Sequence, residues 1–476
     1  MKMFMVTHNI NGLFDGDDVV LTQWASELAE LALPMDPDFI AVHMQEVGGS
    51  NWKSEGVNRS KMIVSALVKL FREHWCSGFL CNPDTSNEFT ALGAVFLVRR
   101  SILGEVRMWD FGEQNGTMAG GGRPSGWKSL DDDQVVGAET LGPSLGDTAK
   151  VKCRHGKFPQ HFFAESPGWS RKGFLHTRWS LAGCEVDMLN VHLFHDASNL
   201  TAIERPRADE SGSLYAARRL GALRHALHGT CAVAAHREAD TIAALADAAG
   251  HTVVTTDTVP MATPDVAPAA TAHGAMSRQR EQQQEQRAED RIAHGRRALF
   301  VFGDFNFRLD LPAVVEMLAG PAGLAAVSGG QTVTLPVTLP SALGTNLALG
   351  EKMFSLSVPG TLEHLLEGGT ASTLRTFDRE PCTLFADRAL PLFELPVRFA
   401  PTYMRDTDES AAAGSPRYGT KRCPAWTDRV LMDRGAWGLV QAATAAPQYA
   451  SCVQPPGSMH CDHDMVYLAF ELGASS

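Results

Sequence analysis

Residues 300–308 read FVFGDFNFR, an apolar run that halts at Gly303 and continues Asp304-Phe305-Asn306. A short apolar run ended by a turn signal describes a buried strand. The period of two then puts Asp304 and Asn306 on one side of the chain as it leaves the sheet. A carboxylate and an amide so placed can address one reacting phosphate and its water. Taken alone, the same letters equally describe an Asp/Asn turn capping a strand.

The pattern recurs on either side of this stretch. Apolar segments beside sharp turns at residues 3–7, 39–44, 91–98, 173–181, 185–191, 298–303, 429–432 and 465–470 predict strands. Helical periodicity runs between several of them: over 19–33, with Val20, Trp24, Leu28 and Leu31 on one side, over 58–73 and over 214–249. Strands alternating with helices make an α/β protein. Segments 109–150, 250–297 and 407–416 read as flexible insertions. The first is rich in Gly, Asp and Ser, 255–275 in Thr, Pro and Ala, and 277–297 is a charged spacer with no sustained apolar face. The polar motifs lie at both ends and in the middle, so a shared site predicts a single catalytic domain over residues 1–476.

Four further constellations carry polar groups at strand ends. Cys423-Pro424-Ala425-Trp426-Thr427-Asp428-Arg429 delivers an acid and a base into an apolar strand, which can also be a local ion pair. Asp462-His463 precedes the run at Met465; a histidine there can move protons near neutral pH if a carboxylate orients it, and Asp428 is a plausible partner. Glu46 follows the run Phe39–Met44, where a hard divalent cation would want oxygen and a solvated or capping Glu would look the same. Leu189-Asn190-Val191-His192 sets a histidine in an apolar run, a common place for a satisfied core imidazole.

The chain has 476 residues, 44% of them hydrophobic, and a formal net charge of -12. Such acidity gives no general field for holding a nucleic-acid backbone, so a polyanion must meet a local cationic cluster. Nine cysteines without a Cys-x-x-Cys pair fit free thiols in a reducing compartment. The start MKMFMVTHNI has no signal-peptide character and no run of 18 apolar residues occurs, so an intracellular, cytoplasmic, soluble protein is expected. Cysteine-based phosphate chemistry is disfavoured, because the span from Cys423 to Arg429 has no glycine nest.

In chain order, Asn9, Gln45-Glu46, Asn190-Val191-His192-Leu193, Gly303-Asp304-Phe305-Asn306, Asp428-Arg429 and Asp462-His463 resemble the catalytic skeleton of the endonuclease/exonuclease/phosphatase superfamily. GDFNFR together with PAWTDRVL is similar to the double signature of its inositol polyphosphate 5-phosphatases. KFPQHFF, WSRKGFLHTRW and NVHLFHDASNL, within 157–200, resemble the type I, inositol 1,4,5-trisphosphate, branch. The resemblance spans roughly 1–110, 151–225, 298–320 and 390–470. It implies a four-layered α/β sandwich, two central β-sheets flanked by helices, with the site at one end. It also implies Mg2+-dependent, in-line removal of the 5-phosphate from soluble inositol polyphosphates, the 1,4,5-trisphosphate first and the 1,3,4,5-tetrakisphosphate as a second candidate, ending an inositol phosphate and calcium signal. Carried over by position, it makes Glu46 the main metal ligand, with Asn9 and Asp462 beside the ion. Asp304 and Asn306 position water and phosphate, His463 is oriented by Asp428, and His192 donates to phosphate oxygens. Lys421, Arg422, Arg429 and Lys172 become candidates for the phosphates that do not react.

Two departures from the family pattern stand out. His463 is followed by Asp464-Met465-Val466 where most members have x-Pro-Val, and Thr402-Tyr403-Met404 lacks a lysine that many lipid-active members carry, which favours a soluble head group. The C-terminal ELGASS offers no cysteine for prenylation, so no stable membrane anchor is expected. The rival readings are a phosphoinositide lipid 5-phosphatase, a nuclease or phosphodiesterase of the same superfamily, and a non-catalytic inositol-phosphate-binding scaffold.

Overall fold

The computed structural model describes residues 1–49, 56–80, 90–111, 126–130, 153–159, 171–204, 214–228, 297–327, 331–366, 373–385, 391–407, 418–453 and 461–473. One sheet is formed by β1 (Lys2–Asn9), β2 (Phe39–Gln45), β3 (His74–Leu80), β4 (Leu92–Arg99), β15 (Gln448–Cys452) and β16 (Met465–Glu471), in the order β15-β16-β1-β2-β4-β3. The other joins β5 (Val106–Asp110), β6 (Gly126–Ser129), β8 (Gly173–Leu181), β9 (Cys184–His192), β10 (Arg297–Asp304) and β14 (Asp428–Met432) in the order β14-β10-β9-β8-β5-β6, with β7 (Arg154–Lys157) paired to β8. A small antiparallel sheet, β11 (Val333–Pro336), β12 (Asn346–Gly350) and β13 (Met353–Leu356), stands apart from both.

Period-2 alternation decides which layer each strand residue enters. Met3 and Met5 of β1 face the other sheet and pack with Phe39, Phe96, Trp179, Phe300 and Phe302. Phe4 and Val6 face outward with Ile40 and Val42, and are covered by α1 (Asp18–Ala32) and α2 (Gly56–Leu70). On the second sheet Leu189, Val191 and Val301 face outward and meet Ala222, Leu223 and Leu227. These three come from the helix at Leu214–His228. Helix, sheet, sheet and helix thus stack in four layers, the expected sandwich. Each fully buried Phe or Leu in the middle is worth about 1.5–3 kcal/mol of transfer free energy. In α1 the buried stripe is Leu21, Trp24, Ala25, Leu28, Ala29 and Ala32, the i, i+3, i+4 spacing of one face, with Val20 and Leu31 at its margins.

The eight expected strands are all present, within one or two residues of their expected bounds. The expectation of a loop throughout 109–150 needs correction: Trp109 and Asp110 end β5, and Gly126–Ser129 pairs with it, with the Trp109 and Trp127 rings edge-on at 5.1 Å. Residues 112–125 and 131–150 lie outside the described residues, as do 250–296, 408–416 and the expected helix beyond His228.

Candidate active site

β1 and β2 run parallel with Asn9 opposite Gln45, and β9 and β10 run parallel with His192 opposite Asp304. β16 and β14 run antiparallel to these pairs, so their first residues arrive at the same end, with Asp428 opposite Asp304. The motifs from both chain ends and the middle therefore converge on one edge of the sandwich. One sheet supplies Asn9, Glu46, Asp462 and His463; the other supplies His192, Asp304 and Asp428. Directly beneath, the Gln45 amide donates to Asn190 Oδ1 across the sheets at 2.7 Å, and the Asn190 amide donates to the carbonyls of Met44 and Gly93.

Asp304 is the hub. Its Oδ1 accepts the backbone N–H of Asn306 at 2.8 Å, and its Oδ2 accepts the side-chain amides of Asn306 and Asn9, each at 3.0 Å. His192 Nε2 lies 3.2 Å from the same Oδ2 and His463 Nε2 lies 4.0 Å from it. The tight turn that aims Asp304 depends on Gly303, whose φ is 151°; a Cβ there would sit 2.0 Å from the Val191 carbonyl oxygen. Asn306 follows at φ 52°, its amide also donating to the Leu193 carbonyl.

His463 Nδ1 is 2.9 Å from Asp428 Oδ2, which also accepts the hydroxyls of Thr402 at 2.6 Å and Thr427 at 2.8 Å. Burial opposes the charged imidazole, but Asp428, then Asp304 and Asp462, outweigh it and hold the His463 pKa at about 10. Burial also opposes ionisation of Asp304, yet the hydrogen bond from His192 and the charges of His463, His192 and Lys172 keep its pKa well below the ordinary carboxylate range. His192 is shifted the other way, its pKa lowered by burial and by the Lys172 charge. The site at neutral pH thus holds a cationic histidine facing an ionised carboxylate.

Glu46, at φ 59° just past β2, lies 3.8 Å from His192 Nε2 and 3.9 Å from Lys172 Nζ. Burial disfavours its charge, but Lys172, His192 and Arg171 more than compensate and its pKa is lowered. The Lys172 ammonium touches the His192 ring. Asp462 has its pKa raised by burial, His463 opposing and Glu46 adding to the rise. The Glu46 charge felt at Asp462 brings two carboxyl groups to one edge of the cluster, oxygen donors of the kind a hard divalent cation takes. Asp304, Asp428 and His463 also present ligand atoms within 4.8 Å of one another, but there the imidazole Nδ1 is already engaged by Asp428. Asn9 accepts the backbone N–H of Asn11 on its oxygen at 3.1 Å and directs its amide to Asp304.

The expected phosphate-binding cations divide. Lys172 reaches the cluster. Arg422 is half-buried at its rim, its guanidinium on Asn199 Oδ1 and the Asp196 and Ala197 carbonyls. Lys421 is exposed beside it. Arg429 requires correction: it is fully buried with its guanidinium on Asp378, on Glu394 at 2.9 Å and on the Trp426 carbonyl at 2.8 Å. Neighbouring strand residues project to opposite faces, so if Asp428 faces His463, Arg429 faces away.

Sequence reasoning passed over Arg308 and His195. The Arg308 guanidinium lies 4.5 Å over the Tyr403 ring and donates to Asn306 Oδ1 at 2.6 Å, and the Tyr403 ring lies 4.5 Å from that of His463. Burial, then the charges of Lys172 and Arg308, lower the His195 pKa to about 4. Arg308 closes the very motif that announces the site, and that position could have been counted. The turn after His463 is held without proline: Asp464 forms a buried pair with Arg405, whose guanidinium lies 4.4 Å over Tyr418.

No family model matches the chain. It is 29% identical over 482 residues to inositol polyphosphate-5-phosphatase A of Rattus norvegicus, covering 99% of this chain and 93% of that protein. It is 24% identical over 499 residues to the probable type I inositol 1,4,5-trisphosphate 5-phosphatase of Caenorhabditis elegans, covering 99% and 100%. Among solved structures, the inositol polyphosphate 5-phosphatase domain of SPsynaptojanin in complex with inositol (1,4)-bisphosphate and calcium aligns with a TM-score of 0.43 at 15% identity, over 99% of this chain and 84% of that one. The resemblance carried by the motifs therefore extends over nearly the whole polypeptide, and the chain is a homologue of the inositol polyphosphate 5-phosphatases, which are hydrolases.

Proposed function

We propose that residues 1–476 form one catalytic domain that removes the 5-phosphate of soluble inositol polyphosphates, inositol 1,4,5-trisphosphate first, and so ends an inositol phosphate signal in the cytoplasm. The observation that carries this reading is the meeting of Asp304, the His463–Asp428 pair and His192 from two sheets, with Glu46 and Lys172 beside them. Asp304, held ionised, accepts a hydrogen bond from the attacking water and so orients it. His463, held cationic by Asp428, presents Nε2–H to the charge that develops on the phosphoryl oxygens. Asn9 and Asn306 keep the carboxylate from turning. Lys172, Arg308, Arg422 and Lys421 form the cationic rim that receives the phosphates left intact.

Glu46 with Asp462 fits a divalent cation of the Mg2+ type by donor chemistry. Such an ion, when bound, supplies Lewis-acid polarisation of the phosphate. Met404 after Thr402-Tyr403 supports a soluble over a lipid substrate. Among the described residues, no helix is long and apolar enough to cross a membrane.

The test is phosphate release by the purified chain from inositol 1,4,5-trisphosphate with Mg2+, repeated with a chelator and with phosphatidylinositol 4,5-bisphosphate vesicles. Release from the soluble substrate that stops on chelation supports the proposal. Preference for vesicles transfers the assignment to the lipid branch, and binding by calorimetry without release makes the chain a scaffold.

A further inference from the structure

On the outer face of β1, Phe4 and Val6 pack against α1 as an apolar layer should. The next residue on that face is His8, fully buried. An imidazole in such a layer is costly unless both nitrogens are satisfied. Both are. Trp24 Nε1–H, from the buried stripe of α1, points at His8 Nδ1 at 2.8 Å, and His8 Nε2 lies 3.1 Å from the main-chain carbonyl of His463. An indole N–H only donates, so Nδ1 must accept, the ring proton must sit on Nε2, and Nε2 must donate to His463. The tautomer is fixed by the helix.

The neighbouring main-chain groups explain why that carbonyl needs a partner. The Asp462 carbonyl accepts the N–H of Arg405 at 2.8 Å, and the N–H of Asp464 goes to the Thr402 carbonyl at 2.8 Å. The His463 carbonyl lies between these two bonds and takes the His8 proton. The ring of His463 is steered by Asp428 at its front, and its backbone is pinned from behind by His8.

We propose that His8, locked by Trp24, is a positioning residue for His463: it sets the backbone from which the imidazole reaches Asp428 and Asp304, without touching substrate. This rests on the phosphatase reading for its consequence in turnover, but not for its consequence in the histidine itself. A purely structural His8 would be replaceable by an apolar residue of similar volume with a change in stability alone. A positioning His8 would not.

The experiment compares wild type with His8→Leu, which removes the donor, and His8→Gln, which restores an N–H at similar reach. Two readouts are taken: kcat and KM on inositol 1,4,5-trisphosphate, and, at one fixed pH, the NMR shift of the His463 Nδ1–H proton, which reports its hydrogen bond to Asp428. The expected result is a kcat lower by about 10-fold in His8→Leu with KM within about 2-fold, and a kcat largely recovered in His8→Gln. The His463 Nδ1–H shift should move in the Leu variant only, as the hydrogen bond to Asp428 loosens. Wild-type turnover together with a wild-type His463 Nδ1–H shift in His8→Leu overturns the proposal. If the wild type releases no phosphate, the phosphatase reading fails while the NMR comparison still decides whether His8 positions His463. If His8→Leu does not fold, Trp24→Phe carries the test, because it keeps both imidazoles and an aromatic ring in the core while removing the N–H that fixes the tautomer. A wild-type kcat and unchanged His8 ring shifts in that variant would also overturn it.

Discussion

His463 Nδ1 and Asp428 Oδ2 stand 2.9 Å apart with both side chains buried, and the same carboxylate oxygen is anchored by two threonine hydroxyls. The imidazole therefore stays protonated far above its ordinary range, to about pH 10. In Asp428→Asn the main support for that charge is gone, and the alkaline fall of kcat is expected to move from near pH 10 toward the unperturbed 6.5. The sign follows from linkage. A histidine pKa raised on folding contributes stability that is complete below 6.5 and is lost as pH rises through 10. Melting curves of the two proteins should differ most below pH 6.5 and converge near pH 10. A pH–rate profile unchanged by the substitution would dismiss the pair from the chemistry.

Asp304→Asn keeps an acceptor for Asn9 and Asn306 while discarding the charge. We expect kcat to drop by at least about 100-fold with the thermal midpoint little changed. Substantial turnover in this variant, measured as phosphate release, would mean that another group orients the water.

Arg429→Met takes from Asp378 and Glu394 the fully buried cation that bridges them, leaving Arg375 on Asp378 alone. Loss of one partner from a buried ionic cluster costs about 3–5 kcal/mol, so a large fall in the denaturant midpoint is expected, with KM within about 2-fold for the protein that remains folded. A raised KM at unchanged stability would return Arg429 to the substrate.

His43 lies wholly inside the core between the sheets, stacked on Phe302 with ring centroids 4.2 Å apart, and neither ring nitrogen has a hydrogen-bond partner. Burial lowers its pKa from 6.5 to about 3. The unfolded chain binds this proton first, so stability is lost progressively as pH falls from 6.5 toward 3. His43→Phe should flatten that part of the stability curve, as read by denaturant titrations at several pH values. Parallel curves for variant and wild type would show that acid sensitivity arises elsewhere.

The central strands were legible because burial on both faces writes them as unbroken apolar runs. Strands β3, β5–β7, β11–β13 and β15 were not, because short pieces such as Arg154–Lys157 and Gln448–Cys452 carry mixed residues that periodicity cannot separate from loop. At the site, Asp304 and His463 could be singled out because each interrupts or borders an apolar run. The facing of Arg429 could have been read from the period of two, but the choice between substrate and core depended on Asp378 and Glu394, fifty-one and thirty-five residues away along the chain. His8 gave no sequence signal, since its role depends on an indole donor from a helix turn and a carbonyl from the other end of the polypeptide.

The Gln45–Asn190 bridge lies under the proposed reaction centre, whose halves belong to different sheets. Neither slab owns a complete catalytic set, so the relative stacking of the two slabs is itself a catalytic coordinate. Repacking a residue such as Phe302, which touches no substrate, would slide one half of the machinery against the other, and a defect in turnover could then originate in the oily interior.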